Sequence, residues 1–567
     1  MKSADAGEAV NADLGELSDS PPPNVYEIGL VMAGAVSAGC YTAGVLDFLF
    51  EALDAYYAER EKPGWDGPTH EVRIRIVSGA SAGGISSVLF AGALNRAFHH
   101  YRKPGDAPNP MFQLWVDDIS IWDMLKTDDL AGDEPMRALL NGGALEPAAE
   151  RTLVRFGDLP VVPRRQWIDD PLPIFLTVTN LRGLPYDFTF GNADEPVRYG
   201  MTNHADLLRF AAMTARPDES AGALHVSGMT GHVALDARDP DPEKTGWKRA
   251  IAAGLATSAF PIGLPARTVK RQVSEYRVES GDPTALPQPS FDDEVWATDP
   301  YAFAAVDGGV IDNEPLERTR RFLAGGLRRN DRSANARRSV VLIDPFPNEV
   351  EKDVGNRSAG SIVAVAKRLL DALLSQSRFK PEELALANNE KVYSRFAILP
   401  SRTASDEKKR VPALACGQIG GFSGFFAKAY REHDYLLGRR NCQSFLTLHF
   451  AVPQTNPLFA DKPKLDVARW RVAGSGEDEP FLPIIPLVGD LKTRLPAPVP
   501  PPGGVEAIAV EKLRAAVETR ARAALPALAK ELPFVHRLPK ILLRGLGTVV
   551  AWWIQAKLED KLKLWKP

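Results

Sequence analysis

Residues 72–90 read VRIRIVSGASAGGISSVLF. Apolar side chains alternate at Val72, Ile74 and Ile76, continue at Val77, and give way to Gly79-Ala80-Ser81-Ala82-Gly83. Alternation with a period of two marks a strand, and the following Ile85, Val88, Leu89, Ala91, Gly92 and Leu94 suit a helix. Ser81 therefore stands at a strand-to-helix corner, where only small neighbours fit, and Gly79, Ala80, Ala82 and Gly83 are four of them. A serine held there projects its hydroxyl above the end of a sheet, with the amino end of a helix behind it to favour developing negative charge. A bare GxSxG string arises readily by chance, so the flanking strand and helix carry the assignment of Ser81 as a nucleophile. The competing reading makes Ser81 an ordinary helix N-cap.

The same rhythm of strand and small residues recurs at residues 25–32, 174–178, 301–306 and 340–343. Between the first of these and the Ser81 strand, Val45, Leu46, Leu49, Leu53 and Tyr56 fall at helical spacing. The pattern predicts an α/β fold with a mainly parallel central sheet, whose active site lies beyond the carboxyl ends of its strands. Residues 99–167 and 183–248 break the rhythm and read as insertions over the sheet, either capping a substrate pocket or decorating the surface. The expected organisation is a disordered tail over 1–24, a main domain over 25–347 and a mostly helical C-terminal extension over 348–494. A Pro-rich linker over 495–504 and a helical tail over 505–567 follow.

The 567 residues suffice for one large domain with extensions, and the net charge of −4 is spread along the chain, giving no reason to expect nucleic acid. Cys40, Cys416 and Cys442 lie far apart in sequence and form neither a paired framework nor a CxxC metal site, which suits a reducing compartment. Residues 1–24 lack the basic start and apolar core of a signal peptide. No apolar run reaches the ~20 residues needed to cross a bilayer. A cytoplasmic location is expected, with peripheral membrane contact as an open possibility through residues 546–567. There Val549, Trp552, Trp553 and Ile554 interleave with Lys557, Lys561 and Lys563, either in a lipid interface or docked back on the main domain. The basic run Arg328, Arg329, Arg332, Arg337 and Arg338 lacks interleaved aromatics and reads as a solvated loop.

Upstream of the corner, residues 29–39 (GLVMAGAVSAG) follow the first strand, and the small turn at Gly34, Ala35 and Val36 offers backbone N–H groups to a tetrahedral oxyanion. Gly34 and Gly39 have Walker spacing, but Cys40 and Tyr41 stand where Lys and Ser/Thr are required, which argues against an NTPase. Downstream, residues 306–315 (VDGGVIDNEP) set Asp307 at a strand end before two glycines, in reach of Ser81 across one sheet edge, although such a turn alone is an ordinary loop.

Taken together, the loop, the elbow and the Asp-Gly-Gly turn resemble the patatin-like phospholipase family, in that family's order. The segments Ala256-Thr257-Ser258-Ala259-Phe260-Pro261 and Thr177-Val178-Thr179-Asn180 are similar to two of its recurrent stretches. The resemblance covers residues 25–347 less the insertions. It implies the three-layer patatin fold and a serine acyl hydrolase of lipid carboxylic esters, with Ser81 as nucleophile and Asp307 as its partner in a Ser-Asp dyad, and with no metal or cofactor. Residues 420–426 and 430–438 resemble a C-terminal region of a bacterial patatin-related subgroup, with no role implied. From the residues themselves, a triad through His433, His449 or His536 stays open. One departure stands out. The family usually has three glycines and, two positions later, an arginine, whereas this chain has Gly34, Ala35, Val36 and then Ala38. Backbone donors survive that change, yet a side chain at Val36 narrows the approach to the oxyanion. The alternative function is therefore a membrane-associated or scaffold protein that keeps the fold with weak or absent catalysis.

Overall fold

A computed structural model of the chain describes residues 19–132, 135–190, 197–214, 229, 231–277, 288–297, 300–326, 328–346, 365, 392–402, 413–418, 420–460, 465–473, 479–499 and 510–531. β1 (Val25–Met32) is buried along its whole length and leads through a short 3-10 turn into α1 (Gly39–Arg60). β2 (Glu71–Gly79) turns at Ser81 into α2 (Ala82–Ala93), and α3 (Leu145–Gly157) follows. β3 (Leu172–Phe190) and β4 (Val197–Met213) pair antiparallel, and β5 (Val233–Asp236), α4 (Thr245–Thr257), β6 (Arg267–Arg271) and β7 (Tyr301–Asp307) come next. α5 (Leu316–Ala324), β8 (Arg338–Ile343) and β9 (Arg395–Ile398) complete the sheet, which runs β5-β4-β3-β2-β1-β8-β9 with β7 paired to both β3 and β6. Its central pairs, β2–β1, β1–β8, β8–β9 and β2–β3, are parallel. α6 (Lys428–Leu448), the antiparallel pair β10 (Ala451–Pro453) and β11 (Phe481–Pro483), and α7 (Val510–Glu531) follow.

Helices cover both faces, which is why β1 and the carboxyl half of β2 are buried without alternation. α5 seals one face with Leu316 and Leu323 against Val31, Ile76 and Val340. α1, α2, α4 and α6 build the larger core on the other. By length and composition the stretch Val36–Arg60 would suffice to cross a membrane, which the sequence reading did not anticipate; 94% of its most apolar window is buried inside the fold. It is the core helix.

Other expectations are corrected. Residues 183–248 do not simply lie over the sheet: they continue β3 and supply β4 and β5 to it. The strand was hard to read past Val178 because its next buried positions are polar: Thr179 and Asn180 serve hydrogen bonds near the site. The C-terminal extension is built into the main fold, since β9 extends the central sheet and α6 lies directly on α1. A Cβ at Gly44 would sit 1.9 Å from the Tyr435 carbonyl oxygen, and one at Gly438 2.2 Å from that of Tyr41. Glycine at both positions lets the two backbones touch. Arg439 of α6 then reaches Asp47 (2.6 Å) and Glu51, one turn apart on α1. Burial alone would raise the Asp47 carboxyl, but Arg439 and His100 outweigh it and hold it below its ordinary value.

Arg338 is not solvated as the basic run suggested; it pairs with the buried Glu27 at 2.6 Å. Residues 19–24, assigned to the tail, are tied down through Arg337 to Pro21 O (2.6 Å) and Arg338 to Asp19 O (3.0 Å). In α7, Leu513 is buried and Arg520 bonds Asp129 (2.6 and 2.8 Å) and Leu139 O (2.7 Å), so this helix docks on the segment before α3. The expectations for residues 1–18, the helical stretch following Pro345, the end of the Pro-rich linker, the Trp- and Lys-rich tail and His536 fall outside the described residues.

Candidate active site

The corner at Ser81 adopts φ 52°, ψ −127°, a conformation that costs an L-residue on the order of 1–3 kcal/mol and persists only where its surroundings fix it. The small neighbours explain how. A Cβ at Gly79 would meet Gly83 O at 2.4 Å, and one at Gly83 would meet Met32 O at 2.1 Å. The Ser81 N–H donates to Thr257 Oγ1 at 2.8 Å, from the carboxyl end of α4. Thr257 lies in the Ala-Thr-Ser-Ala-Phe-Pro segment, so that stretch holds the elbow from behind.

Asp307 ends β7. Its N–H donates to Ala259 O (2.9 Å) and its carbonyl accepts from Thr179 Oγ1 (2.9 Å). Gly308 follows because a Cβ there would lie 2.1 Å from Thr177 O. Thus fixed, the carboxylate accepts the Gly309 N–H on Oδ1 at 2.7 Å and the Ser81 hydroxyl on Oδ2 at 2.7 Å. Ser81 and Asp307 are 7% and 5% exposed. Burial raises the Asp307 carboxyl to about 6, against the pull of its two hydrogen bonds, so it titrates close to neutrality.

The loop after β1 lies beside Ser81, with a Cβ at Gly34 only 3.0 Å from Ser81 Cβ and 2.3 Å from Asn313 Oδ1. Of the three loop residues singled out from the sequence, Gly34 aims its N–H at Asn313 O, at a long 3.4 Å. Among the described residues, none accepts a hydrogen bond from the N–H groups of Ala35, Val36 or Ala82. Val36 has φ 47°, in the left-handed region that a glycine would take without strain.

A narrow cleft opens at Ser81 and Asp307, walled by Val36, Trp115, Phe260, Phe422 and Phe425. It shares Ile85, Ile119 and Leu145 with a second, narrow cavity lined by apolar residues alone, between α2, α3 and α4. Trp115, Ile119, Met124 and Leu140 come from residues 99–167, so that stretch walls the site. No histidine lines either cavity. His433 bonds Asp434 at 2.7 Å inside α6, and His449 is exposed at its end.

The distant cysteines Cys40 and Cys416 meet, with sulfurs 3.8 Å apart, and together with Asp434 they form a buried group within 4.8 Å. The Asp434 carboxylate accepts the N–H groups of Ala415 (2.9 Å) and Cys416 (2.8 Å), and burial pushes the Cys416 thiol up from its ordinary value.

Sequence reasoning missed Thr257, Asn313, Phe422, Phe425 and the Ala82 N–H. Of these, Ala82 carries a local signal as the residue following the serine of an elbow, while Thr257, Phe422 and Phe425 lie in stretches singled out by resemblance without a role.

The patatin-like phospholipase profile matches residues 30–319. The chain belongs to the patatin-like phospholipase family. Lipid acyl-ester hydrolysis is the family's general activity and lipids are its substrates. The uncharacterized protein y4iI of Sinorhizobium fredii (strain NBRC 101917 / NGR234) is 32% identical over 530 residues, covering 85% of this chain and 73% of that protein. VipD from Legionella pneumophila, known from a crystal structure, aligns over 98% of this chain and 91% of its own, at 10% identity and a TM-score of 0.22. A likeness that slight carries no argument.

Proposed function

We propose that this patatin-like protein is a serine hydrolase of lipid carboxylic esters, of phospholipase or lysophospholipase type, working through an acyl-enzyme on Ser81 with Asp307 as the sole base. The observation that carries the reading is the direct 2.7 Å bond from the Ser81 hydroxyl to a buried carboxylate, with no histidine between them. Asp307 takes the hydroxyl proton as Oγ attacks the ester carbonyl, and the tetrahedral oxyanion is held by main-chain N–H groups of Ala35, Val36 and Ala82, with Gly34 weakened by its tie to Asn313. Collapse expels the alcohol, which takes the proton from Asp307. The same carboxylate then activates the water that frees the fatty acid. The apolar cavity behind Ser81 suits an acyl chain.

A fluorophosphonate probe should modify Ser81 alone, as read by peptide mass spectrometry, and should leave the Ser81→Ala protein unmodified. Labelling elsewhere, or none, sinks the reading. The scaffold alternative draws on the Val36 side chain beside Ser81. It predicts equal vesicle binding by wild type and Ser81→Ala, with no fatty acid released by either.

The cavity also sets a chain-length test. Gly254 lines that cavity, and a Cβ there would already stand in ordinary contact with Val88 at 3.7 Å, so a larger side chain would have to occupy the cavity itself. Gly254→Leu should exclude about two methylenes of a long chain, at about 0.8 kcal/mol each. Turnover of p-nitrophenyl palmitate should drop roughly tenfold while the butyrate ester is spared, and equal effects on both esters would count against this cavity.

A further inference from the structure

We propose that residues 420–426, well beyond the stretch matched by the family, are a working part of this site: Gly421 fixes the loop at Val36, and Phe422 and Phe425 form the wall on which the acyl chain packs. The proposal rests on the reading of Ser81 as the acyl nucleophile.

A β-branched residue at φ 47° is an outlier that needs outside support. Support comes from the residue that follows. Ser37 donates both its N–H, at 3.2 Å, and its hydroxyl to Gly421 O. Gly421 itself is left-handed at φ 87°, and a Cβ there would crowd Val36 Cβ at 3.2 Å and the Phe346 ring at 3.0 Å. A side chain at Gly424 would strike Ser37 Oγ at 2.5 Å and Cys416 Sγ at 2.4 Å. Both glycines are thus required by the approach of this segment to the loop.

The segment is in turn anchored. Ser423 Oγ donates to Ala415 O (3.0 Å) and accepts the Gln418 N–H (3.1 Å), while Asp434 of α6 grips the N–H groups of Ala415 and Cys416. Arg431 spans from Gly424 O (2.6 Å) to Val116 O (2.7 and 3.0 Å), joining the segment to the helical turn that carries Trp115 on the cavity wall. Phe422 meets Phe260 edge-on at 6.0 Å and Phe425 at 5.7 Å. The buried network therefore runs from α6 to the loop beside Ser81, and its two aromatic rings face the space at the nucleophile.

Ser37 is a positioning residue, since it acts through the loop. In the full chain, Ser37→Ala should lower kcat about tenfold on both p-nitrophenyl butyrate and palmitate with KM unchanged, because only oxyanion stabilisation suffers. Phe422→Ala should lower kcat/KM about tenfold on palmitate and by a clearly smaller factor on butyrate, whose short chain covers less of the wall. Unfolding temperatures of both variants should stay near that of wild type. If both variants match wild type, or if every loss follows a fall in unfolding temperature and is equal on the two esters, the segment is mere packing and the proposal fails. Wild-type labelling at Ser81 in the same experiment keeps the hydrolase reading standing in that event. Absence of wild-type labelling and turnover removes both.

Discussion

Replacing Asp307 by Asn should abolish turnover and raise stability in the same protein. Asparagine keeps the shape and can still accept the Gly309 N–H, but it cannot take the Ser81 proton. The loss of kcat should be on the order of 10³–10⁴-fold, the usual cost of removing an essential base-forming carboxylate from a serine site. The stability effect follows from burial. The folded carboxyl lies at about 6 against an ordinary 3.8, so the folded state binds its proton more tightly than the unfolded chain. Stability from this group is therefore full below pH ~4 and is lost as pH rises through about 6, the reverse of a salt-bridged aspartate. At pH 8 the ionised group costs about 3 kcal/mol at most, which Asp307→Asn should largely recover. Thermal unfolding at pH 4 and pH 8 reads this directly: the gain should be present at pH 8 and absent at pH 4. The wild-type kcat/KM should fall on acidification with a midpoint near 6, as the base is protonated. A variant that stays active, or that is destabilised at pH 8, removes Asp307 from the proposed role.

The parts legible in the sequence are those written in short windows. β1 spans the predicted Val25–Met32, and the elbow at Ser81 was visible because a period-two run meets a cluster of small residues. Ser81 and Asp307, selected from separate motifs, lie in hydrogen-bond contact. What escaped was contact between distant segments in which neither partner carries a chemical motif. Nothing local announces that Gly421 faces Val36, or that Cys40 lies beside Cys416, because each partner is ordinary in its own window. The strands within 183–248 escaped for another reason. Beyond Gly183 the β3–β4 ribbon exposes Phe190, Val197, Tyr199 and Met201, so burial does not impose a single apolar face there. The Val36 substitution shows a limit of a different kind. A motif defined by glycine suggests altered loop geometry when valine stands in it, yet Val36 takes the left-handed φ that suits glycine, next to the Ser37 bond to Gly421.

The largest stability effect is expected at Gly44, inside a helix where the residue carries no chemical signature. Its hydrogen atoms face the Tyr435 carbonyl, and a Cβ would stand 1.9 Å from that oxygen, with backbone rather than a yielding side chain on the other side. Gly44→Val must therefore push α6 away from α1. Overpacking of that kind costs about 1–3 kcal/mol by itself. Moving α6 also pulls Arg439 from Asp47 and Glu51, all three of them buried, and stranding such charges costs a further 3–5 kcal/mol or so. A loss of more than about 4 kcal/mol is comparable to the whole stability of many domains, so little soluble protein should accumulate. Gly44→Ala gives the graded counterpart that can be purified, and its denaturant midpoint should fall well below that of wild type without a change in m-value. Gly64 is the control: it has φ 85° but open space around it, so alanine there should cost only the strain of the backbone, roughly 1 kcal/mol. If Gly44→Val unfolds within about 1 kcal/mol of wild type, α1 and α6 are not packed as one cooperative unit, and the C-terminal region loses its structural claim on the site.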